Sequence, residues 1–317
     1  MKKLITILCA VLFSSTVYSA TNNIKIVGSS TVYPFTTVVA EKFGKGTGFA
    51  TPVVESTGTG GGMKLFCSGY DTNSPSVTNA SRAIKDKEAA LCAKNGVSYI
   101  EIIIGNDGIA LVNSLSGVKA NFTKKQLWAA MAEHGSKPKT WNEIDPGLPN
   151  QEIKILVPPP TSGTRDAWND LVMNKGCPAE VKAKDKKACA KMREDGALVE
   201  AGENDTLIVN KLVADTNAYG IMGFSYLINN KDKIQSATIE GKTISLASIQ
   251  DYSYPVARPL FVYFKRQHFG VVPGLKQFLK KYASRQAIGP RGYLTDIGLV
   301  PLDEKTFAEM VSRAKNQ

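Results

Sequence analysis

The sequence is poor in the residue types that most catalytic and metal sites need. Among 317 residues there are only two histidines, His134 and His268, so a metal site of several histidines or a Ser-His-Asp group has little to draw on. Five cysteines are present, but no CxxC spacing suited to zinc occurs. P-loop, GxGxxG and GxSxG motifs are missing as well. We therefore expect a protein that is not an enzyme and uses no cofactor and no metal.

Long apolar runs are absent beyond the N-terminus. There, two lysines precede an apolar run from Leu4 to Phe13, and a short run of small, mostly polar residues follows. This pattern predicts a secretory signal peptide over residues 1–20, cleaved after Ser19 or after Ala20. The longest later run, residues 100–112, is interrupted by an Asn-Asp pair and is too short to span a membrane. We expect an exported, periplasmic protein that does not span the membrane.

Acidic residues are outnumbered by basic ones. The chain has 39 Lys and Arg against 28 Asp and Glu, a formal charge of +11 that falls to +9 without Lys2 and Lys3. This balance favours anionic partners. The basic residues are spread along the chain, and no basic stripe interleaved with aromatic residues occurs, so nucleic acid is not an expected partner.

Four cysteines remain once the signal peptide is removed, an even number that suggests disulfide bonds in an oxidising compartment. Four cysteines allow three pairings. We favour Cys67–Cys92 and Cys177–Cys189, because each pair brackets one local segment of the chain. Four buried free thiols are the alternative.

Short apolar runs alternate with helical segments, which indicates an α/β fold with parallel strands. Three loops between such elements are rich in glycine and hydroxyl residues: GSSTVYP at 28–34, STGTGGGM at 56–63 and PTSGTRD at 160–166. Each precedes a predicted helix, where free backbone N–H groups favour an anion. One such loop is explained equally well by helix capping, but three in one chain indicate an anion site.

These loops, together with NASRAIKDKE, IIIGNDGIALVN and YPVARPLFVYF, follow the order found in phosphate-binding proteins of ABC transporters. The chain resembles that family over nearly all of its mature length. The resemblance implies a two-lobed periplasmic-binding-protein fold of type II-like topology, with a ligand cleft between the lobes and a hinge of crossing strands. We expect residues 21–113 and 261–317 to form the first lobe and residues 114–260 the second.

The resemblance also implies the function and the partners. The family captures inorganic phosphate and delivers it to a membrane permease that is driven by a separate ATPase, without catalysis. We expect a monomer. The predicted ligand-binding positions carry hydroxyl or backbone N–H donors: Thr31, Val32, Thr59, Ser162, Gly163 and Thr164, with Ser30 as a further candidate.

The chain departs from the family at two positions. Many members have an aspartate where this chain has Arg82, and an arginine where it has Pro158. The cation of the site is therefore expected to have moved. We predict that Arg82 binds the anion, with Arg165 as a second candidate. The alternative for Arg82 is a salt bridge to Asp86, four residues on.

The missing aspartate bears on selectivity, because a carboxylate accepts the proton of hydrogen phosphate and repels sulfate. Asp205 is the first candidate to replace it, followed by Asp166 and Asp107, although Asp205 is equally suited to cap a helix. Three rival functions stay open at this point: a sulfate, molybdate or other oxyanion binder of the same fold, a secreted phosphatase-like enzyme, and a polyanion-binding module.

Overall fold

A computed structural model describes residues 23–160, 162–201 and 205–317. The predicted signal peptide therefore lies outside the described residues. The strands are Lys25–Gly28 (β1), Val53–Val54 (β2), Val77–Ala80 (β3), Tyr99–Ser114 (β4), Asn121–Phe122 (β5), Ile155–Val157 (β6), Leu198–Glu200 (β7), Tyr219–Gly223 (β8), Ile234–Ser236 (β9), Thr238–Ile239 (β10) and Ala257–Lys265 (β11).

Helices occupy most of the connections between the strands. They are Tyr33–Gly46 (α1), Thr59–Phe66 (α2), Asp86–Lys94 (α3), Lys124–Met131 (α4), Gly163–Trp168 (α5), Asn174–Gly176 (α6), Ala179–Lys184 (α7), Asp205–Ala214 (α8), Phe224–Asn229 (α9), Leu246–Gln250 (α10), Leu275–Tyr282 (α11), Arg285–Ile288 (α12) and Glu304–Lys315 (α13). A π-helical segment, Asn169–Met173, joins α5 to α6. Every described helix is too short or too polar to cross a lipid bilayer.

The expected α/β fold class is confirmed, but the sheet is mixed rather than parallel. Its strand order is β2-β1-β3-β11-β4-β8-β6-β7, and β9 also pairs with β4. Strands β1, β2 and β3 are parallel at one end, and β6, β7 and β8 are parallel at the other. Between these groups, β11 runs antiparallel to both β3 and β4.

Strand β4 is the longest element of the sheet and links its two ends. The sequence predicts two strands, Tyr99–Ile104 and Ile109–Val112, but the structure has one continuous strand of 16 residues. Its first part pairs with β11, and its last part pairs with β8 and β9. The polar interruption at Asn106 and Asp107 is buried or largely buried in the middle of this strand rather than forming a turn.

Two groups of buried side chains pack on either side of this polar stretch. One is built from residues between Ile24 and Ile104 and between Leu260 and Ala314, with a small satellite around Phe66. The other is built mainly from residues between Ile109 and Val256. Strands β4 and β11 run continuously from one group to the other, since each contributes residues to both, and Val300 of the C-terminal segment also packs with the second group. The chain thus forms two bodies around two crossing strands.

The two disulfide pairings favoured from the sequence are present. Cys67 and Cys92 join the end of α2 to α3, with an S–S distance of 2.02 Å. Cys177 and Cys189 are bonded at 2.05 Å across a separation of 12 residues. Each bond closes a local loop within one of the two bodies.

Candidate anion-binding site

Two of the three hydroxyl-bearing loops meet face to face. The loop after β1 leads into α1, and the loop after β6 leads into α5. A Cβ atom on Gly163 would lie 2.4 Å from the N, Cα and Oγ1 atoms of Thr31, so this approach requires glycine. Because the two loops belong to different hydrophobic bodies, they form opposite walls of a cleft.

The cleft encloses a cavity of about 380 Å³. Its polar lining comes from both bodies and from the middle of β4: Ser30, Thr31, Asp107, Ser162, Gly163 and Thr164. Apolar side chains from α1 and α9 line the outer part, among them Phe35, Val38 and Phe224. Six of the residues named as candidates from the sequence, five donors and the acceptor Asp107, are therefore brought together here.

The cation that meets these loops is Arg258, which the sequence analysis did not single out. It lies in β11 and is only 6% exposed. Its Nη2 donates to the Thr31 hydroxyl at 3.0 Å and to the Gly163 carbonyl at 3.4 Å, so that it contacts both walls of the cleft. Its Nε and Nη1 groups are buried and have no hydrogen-bond partner among the described residues.

Asp107 is the carboxylate beside this cation. The antiparallel register of β4 and β11 pairs Asp107 with Arg258 directly. Asp107 Oδ2 lies 3.6 Å from Arg258 Nε, which is an ion pair too long to be a hydrogen bond, and this oxygen is buried without a hydrogen-bond partner in the described part of the chain. Burial raises the pKa of Asp107, and the neighbouring Arg258 opposes that rise. The site thus holds an unused acceptor next to unused donors.

The hydroxyl groups of the two loops are oriented so that they can donate to an anion. Ser162 caps α5, and its Oγ accepts the Thr164 N–H at 3.2 Å. The Thr31 oxygen accepts from Arg258. In both residues one of the two acceptor lone pairs is engaged, and the hydroxyl hydrogen has no acceptor among the described residues, so it can be donated to a ligand.

Two other predicted donors make contacts within the protein. The Val32 N–H lies 3.4 Å from Ser29 Oγ, which is a long contact. Thr59 is buried, shares a 3.0 Å hydrogen bond with Ser81 Oγ and accepts the Ser81 N–H at 3.1 Å. Thr59 is not among the residues that line the cavity. Their roles as ligand donors stay predictions.

Neither Arg82 nor Arg165 is among the residues that line this cavity, whereas Arg258 borders it through its bonds to the lining residues Thr31 and Gly163. Arg82 forms two 2.8 Å hydrogen bonds with Glu88, so its salt-bridge partner is also not the expected Asp86. Arg165 is 8% exposed and donates to the Pro158 carbonyl at 2.9 Å. Its side chain lines a different cavity. We therefore move the proposed cation role from Arg82 and Arg165 to Arg258.

The three aspartates proposed as acceptors of the phosphate proton lie in different surroundings. Asp107 faces Arg258 in the cleft. Asp166 Oδ2 accepts from the Ser81 hydroxyl at 3.5 Å and is not part of the cavity lining. Asp205 is the first residue of α8, but its side chain lies outside the described residues. Its role as an acceptor stays a prediction.

One signal in the sequence pointed to Arg258 and to its pairing with Asp107. Arg258 interrupts the apolar strand YPVARPLFVYF, and Asp107 interrupts the apolar run IIIGNDGIALV. A charged residue is rarely placed in a buried strand unless it is paired or functional. Two such interruptions of opposite sign would have suggested a buried pair, although not which residues face it.

Comparison with known proteins gives the family. A family model described as a PBP superfamily domain matches residues 15–286. The phosphate-binding protein PstS of Staphylococcus saprophyticus is 31% identical over 292 residues, covering 90% of this chain and 82% of that protein. Protein SphX of Synechococcus elongatus is 29% identical over 296 residues, covering 91% and 80%.

Solved structures agree. A "possible phosphate binding protein" from Planctomyces limnophilus aligns with a TM-score of 0.75 and 27% identity, over 93% of this chain and 98% of that one. An ABC-type phosphate transport receptor from Vibrio cholerae aligns with a TM-score of 0.65 at 18% identity, over 88% and 99%, and shares the fold. The expected two-lobed fold is thereby confirmed. The chain belongs to the PBP superfamily and, within it, to the family of the phosphate-binding protein PstS.

Proposed function

We propose that the protein binds inorganic phosphate in its cleft and delivers it to an ABC importer. One observation carries this proposal. The buried guanidinium of Arg258 faces two hydroxyl-bearing loops, and its Nε and Nη1 groups have no hydrogen-bond partner among the described residues. Unpaired buried donors cost free energy, and an anion in the cleft removes that cost. The names of the relatives PstS and the Planctomyces limnophilus protein support the same ligand.

Asp107 explains why phosphate is preferred to sulfate in this proposal. Hydrogen phosphate carries acceptors for Arg258 and the hydroxyl groups, and it also carries one O–H donor for the unpaired Asp107 oxygen. Sulfate offers no donor near neutral pH, so its charge would face the carboxylate without a compensating hydrogen bond. The sulfate or molybdate alternative therefore requires Asp107 to be protonated.

Binding without turnover fits the chemistry of the cleft. A phosphatase needs a nucleophile next to a general base. The cleft hydroxyls of Thr31 and Ser162 are bonded to Arg258 and to a backbone N–H rather than to a base. The His268 ring is buried elsewhere, between the Ser76 hydroxyl and the Tyr70 carbonyl. We therefore propose a binding protein rather than an enzyme.

The remaining predictions belong to the same proposal. We infer export to the periplasm through residues 1–20, a monomeric mature protein, and transfer of phosphate to a permease with its ATPase. We also infer lobes formed by residues 21–113 with 261–317 and by residues 114–260. The buried side chains divide near residues 104–109 and 256–260, which supports two lobes joined at these strands, although residues 109–112 pack with the second group and Leu260 with the first.

Calorimetric titration of the mature protein, stripped of bound ligand, tests the proposal. We expect one phosphate to bind tightly per chain, weak or undetectable binding of sulfate, and no turnover of a chromogenic phosphoester. Equal binding of sulfate would favour the oxyanion alternative. Turnover of the ester, or no binding of either anion, would contradict the proposed function.

A further inference from the structure

The two lobes touch at a second pair of residues beside the cleft. Gly298, in the left-handed region with a φ of 100°, follows a short 3₁₀ turn. Ser225 is the second residue of α9. A Cβ atom on Gly298 would lie 2.4 Å from Ser225 Oγ and 2.7 Å from Ser225 Cβ. Leu294 and Leu299, on either side of Gly298, pack in one hydrophobic body and Leu227 packs in the other, so this contact crosses between them; Val300, further along, reaches the second body.

This pair separates two hollows of the surface. Both Ser225 and Gly298 line the 380 Å³ cleft cavity, and both also line a neighbouring groove of about 570 Å³. The pair carries no charge, so it can affect the cleft only through the space that the two residues occupy. It is separate from the Gly163–Thr31 contact, where a glycine of one body also approaches the other body too closely to admit a Cβ atom.

We propose that Ser225 and Gly298 form a closure contact that sets how far the lobes close on the anion. This inference rests on the proposed function, since it concerns the closed, phosphate-bound form. The Arg258 guanidinium reaches Thr31 and the Gly163 carbonyl at once only while the two walls are close together. Extra volume between Ser225 and Gly298 holds the walls apart, because packed protein surfaces do not compress. Both are positioning residues in this inference, because they act on the approach of the two walls.

The first test enlarges Ser225. A β-branched side chain is stiff at its first torsion and cannot easily turn away. Ser225→Ile should weaken phosphate binding about tenfold or more, mainly through faster dissociation. At saturating phosphate, small-angle scattering should give a larger radius of gyration than for the wild type. Ser312→Ile, the same change at an exposed position of α13, should match the wild type in both measurements.

A second pair of variants separates the contact from local strain. Gly298→Ala adds a Cβ at the contact and also strains a backbone with positive φ. Removing the opposing side chain in Gly298→Ala with Ser225→Gly should restore phosphate affinity. A double variant as weak as Gly298→Ala alone, or Ser225→Ile with wild-type affinity and dissociation rate, would overturn the inference. Failure of the wild-type protein to bind phosphate would overturn the proposed function. Failure of the variants to differ from a wild-type protein that does bind phosphate would overturn only this inference.

Discussion

At the scale of single residues, the site depends on a pair of opposite charges that do not satisfy each other. Arg258 and Asp107 are direct neighbours on adjacent strands, yet the 3.6 Å separation of Nε and Oδ2 leaves both atoms without a hydrogen bond among the described residues. A ligand that fits this pair must accept from one side and donate to the other. Hydrogen phosphate has both capacities, whereas sulfate has only the first.

The acceptor can be tested by one substitution. Asp107→Asn keeps the shape but removes the charge, so its amide can turn an N–H group towards the anion. We expect phosphate to bind about tenfold more weakly and sulfate more tightly, which narrows the selectivity. Titration with both anions measures the ratio. Asp232→Asn, the same change at an exposed position, is the matched control and should leave the ratio unchanged. An unchanged ratio in Asp107→Asn would show that selectivity lies elsewhere.

The raised pKa of Asp107 gives this selectivity a pH dependence. As pH falls through that pKa, the carboxylate takes up a proton, loses its role as acceptor and ceases to repel sulfate. We therefore expect the ratio of phosphate to sulfate affinity to fall on acidification in the wild type. The same titrations repeated on Asp107→Asn should show a flatter ratio. Parallel curves for the two proteins would contradict the assignment.

At the scale of elements, strand β11 carries a second buried cation, Lys265, which affects the stability of the fold rather than anion binding. Lys265, its last residue, is fully buried, and its Nζ donates to the Gly69 carbonyl and, at 2.8 Å, to the Ser74 hydroxyl. Burial lowers its pKa to about 8, partly opposed by Asp71. At pH values between about 8 and the ordinary lysine pKa, the unfolded chain binds more protons than the folded protein. The free energy of unfolding therefore rises with pH in this range.

This effect can be isolated with Lys265→Met. From pH 7.5 to pH 9.5, we expect the lysine to add roughly 1–2 kcal/mol to the free energy of unfolding of the wild type relative to the variant. Urea unfolding at both pH values measures the difference. Lys64→Met, at an exposed lysine of α2, should follow the wild type. Equal pH dependence in wild type and Lys265→Met would mean that Lys265 titrates normally.

The two disulfide bonds close local loops, and none of the four cysteines lines the cleft cavity. Their sequence separations are 25 for Cys67–Cys92 and 12 for Cys177–Cys189. Replacing either pair by alanine should lower the free energy of unfolding by about 3 kcal/mol, slightly less for the shorter loop. Denaturant unfolding measures the loss, while calorimetry should find phosphate affinity nearly unchanged in both variants. Wild-type stability in either variant would show that the corresponding bond constrains little.

At the scale of the whole molecule, local features were predictable and distant pairings were not. The disulfide bonds, the α/β class and the loops at 28–34 and 160–166 are each contained in a short stretch of sequence. Arg258 instead bonds Thr31 across 227 residues and faces Asp107 through a strand register. Such a register depends on the closure of the complete sheet, which no local pattern in the sequence reveals.

Arg82 shows how local structure can engage a residue for which the family position suggests another role. Arg82 precedes α3, so the helical spacing that would pair it with Asp86 does not apply. Glu88 already turns back to accept the Lys85 N–H at 2.9 Å in a capping arrangement. Its two oxygens therefore lie where they engage the Arg82 guanidinium.

The central claim is that Arg258, and not Arg82, is the cation that holds the anion. Calorimetric titration of inorganic phosphate into Arg258→Gln, Arg82→Gln and the surface control Arg285→Gln tests it most directly, with circular dichroism as a check on folding and Arg258→Lys as a milder change. We predict that Arg258→Gln binds phosphate at least about 30-fold more weakly than the wild type, because a buried charge-assisted contact is lost, while the other two glutamine variants stay within about threefold. Strong loss in Arg82→Gln with near wild-type binding in a folded Arg258→Gln would contradict the account.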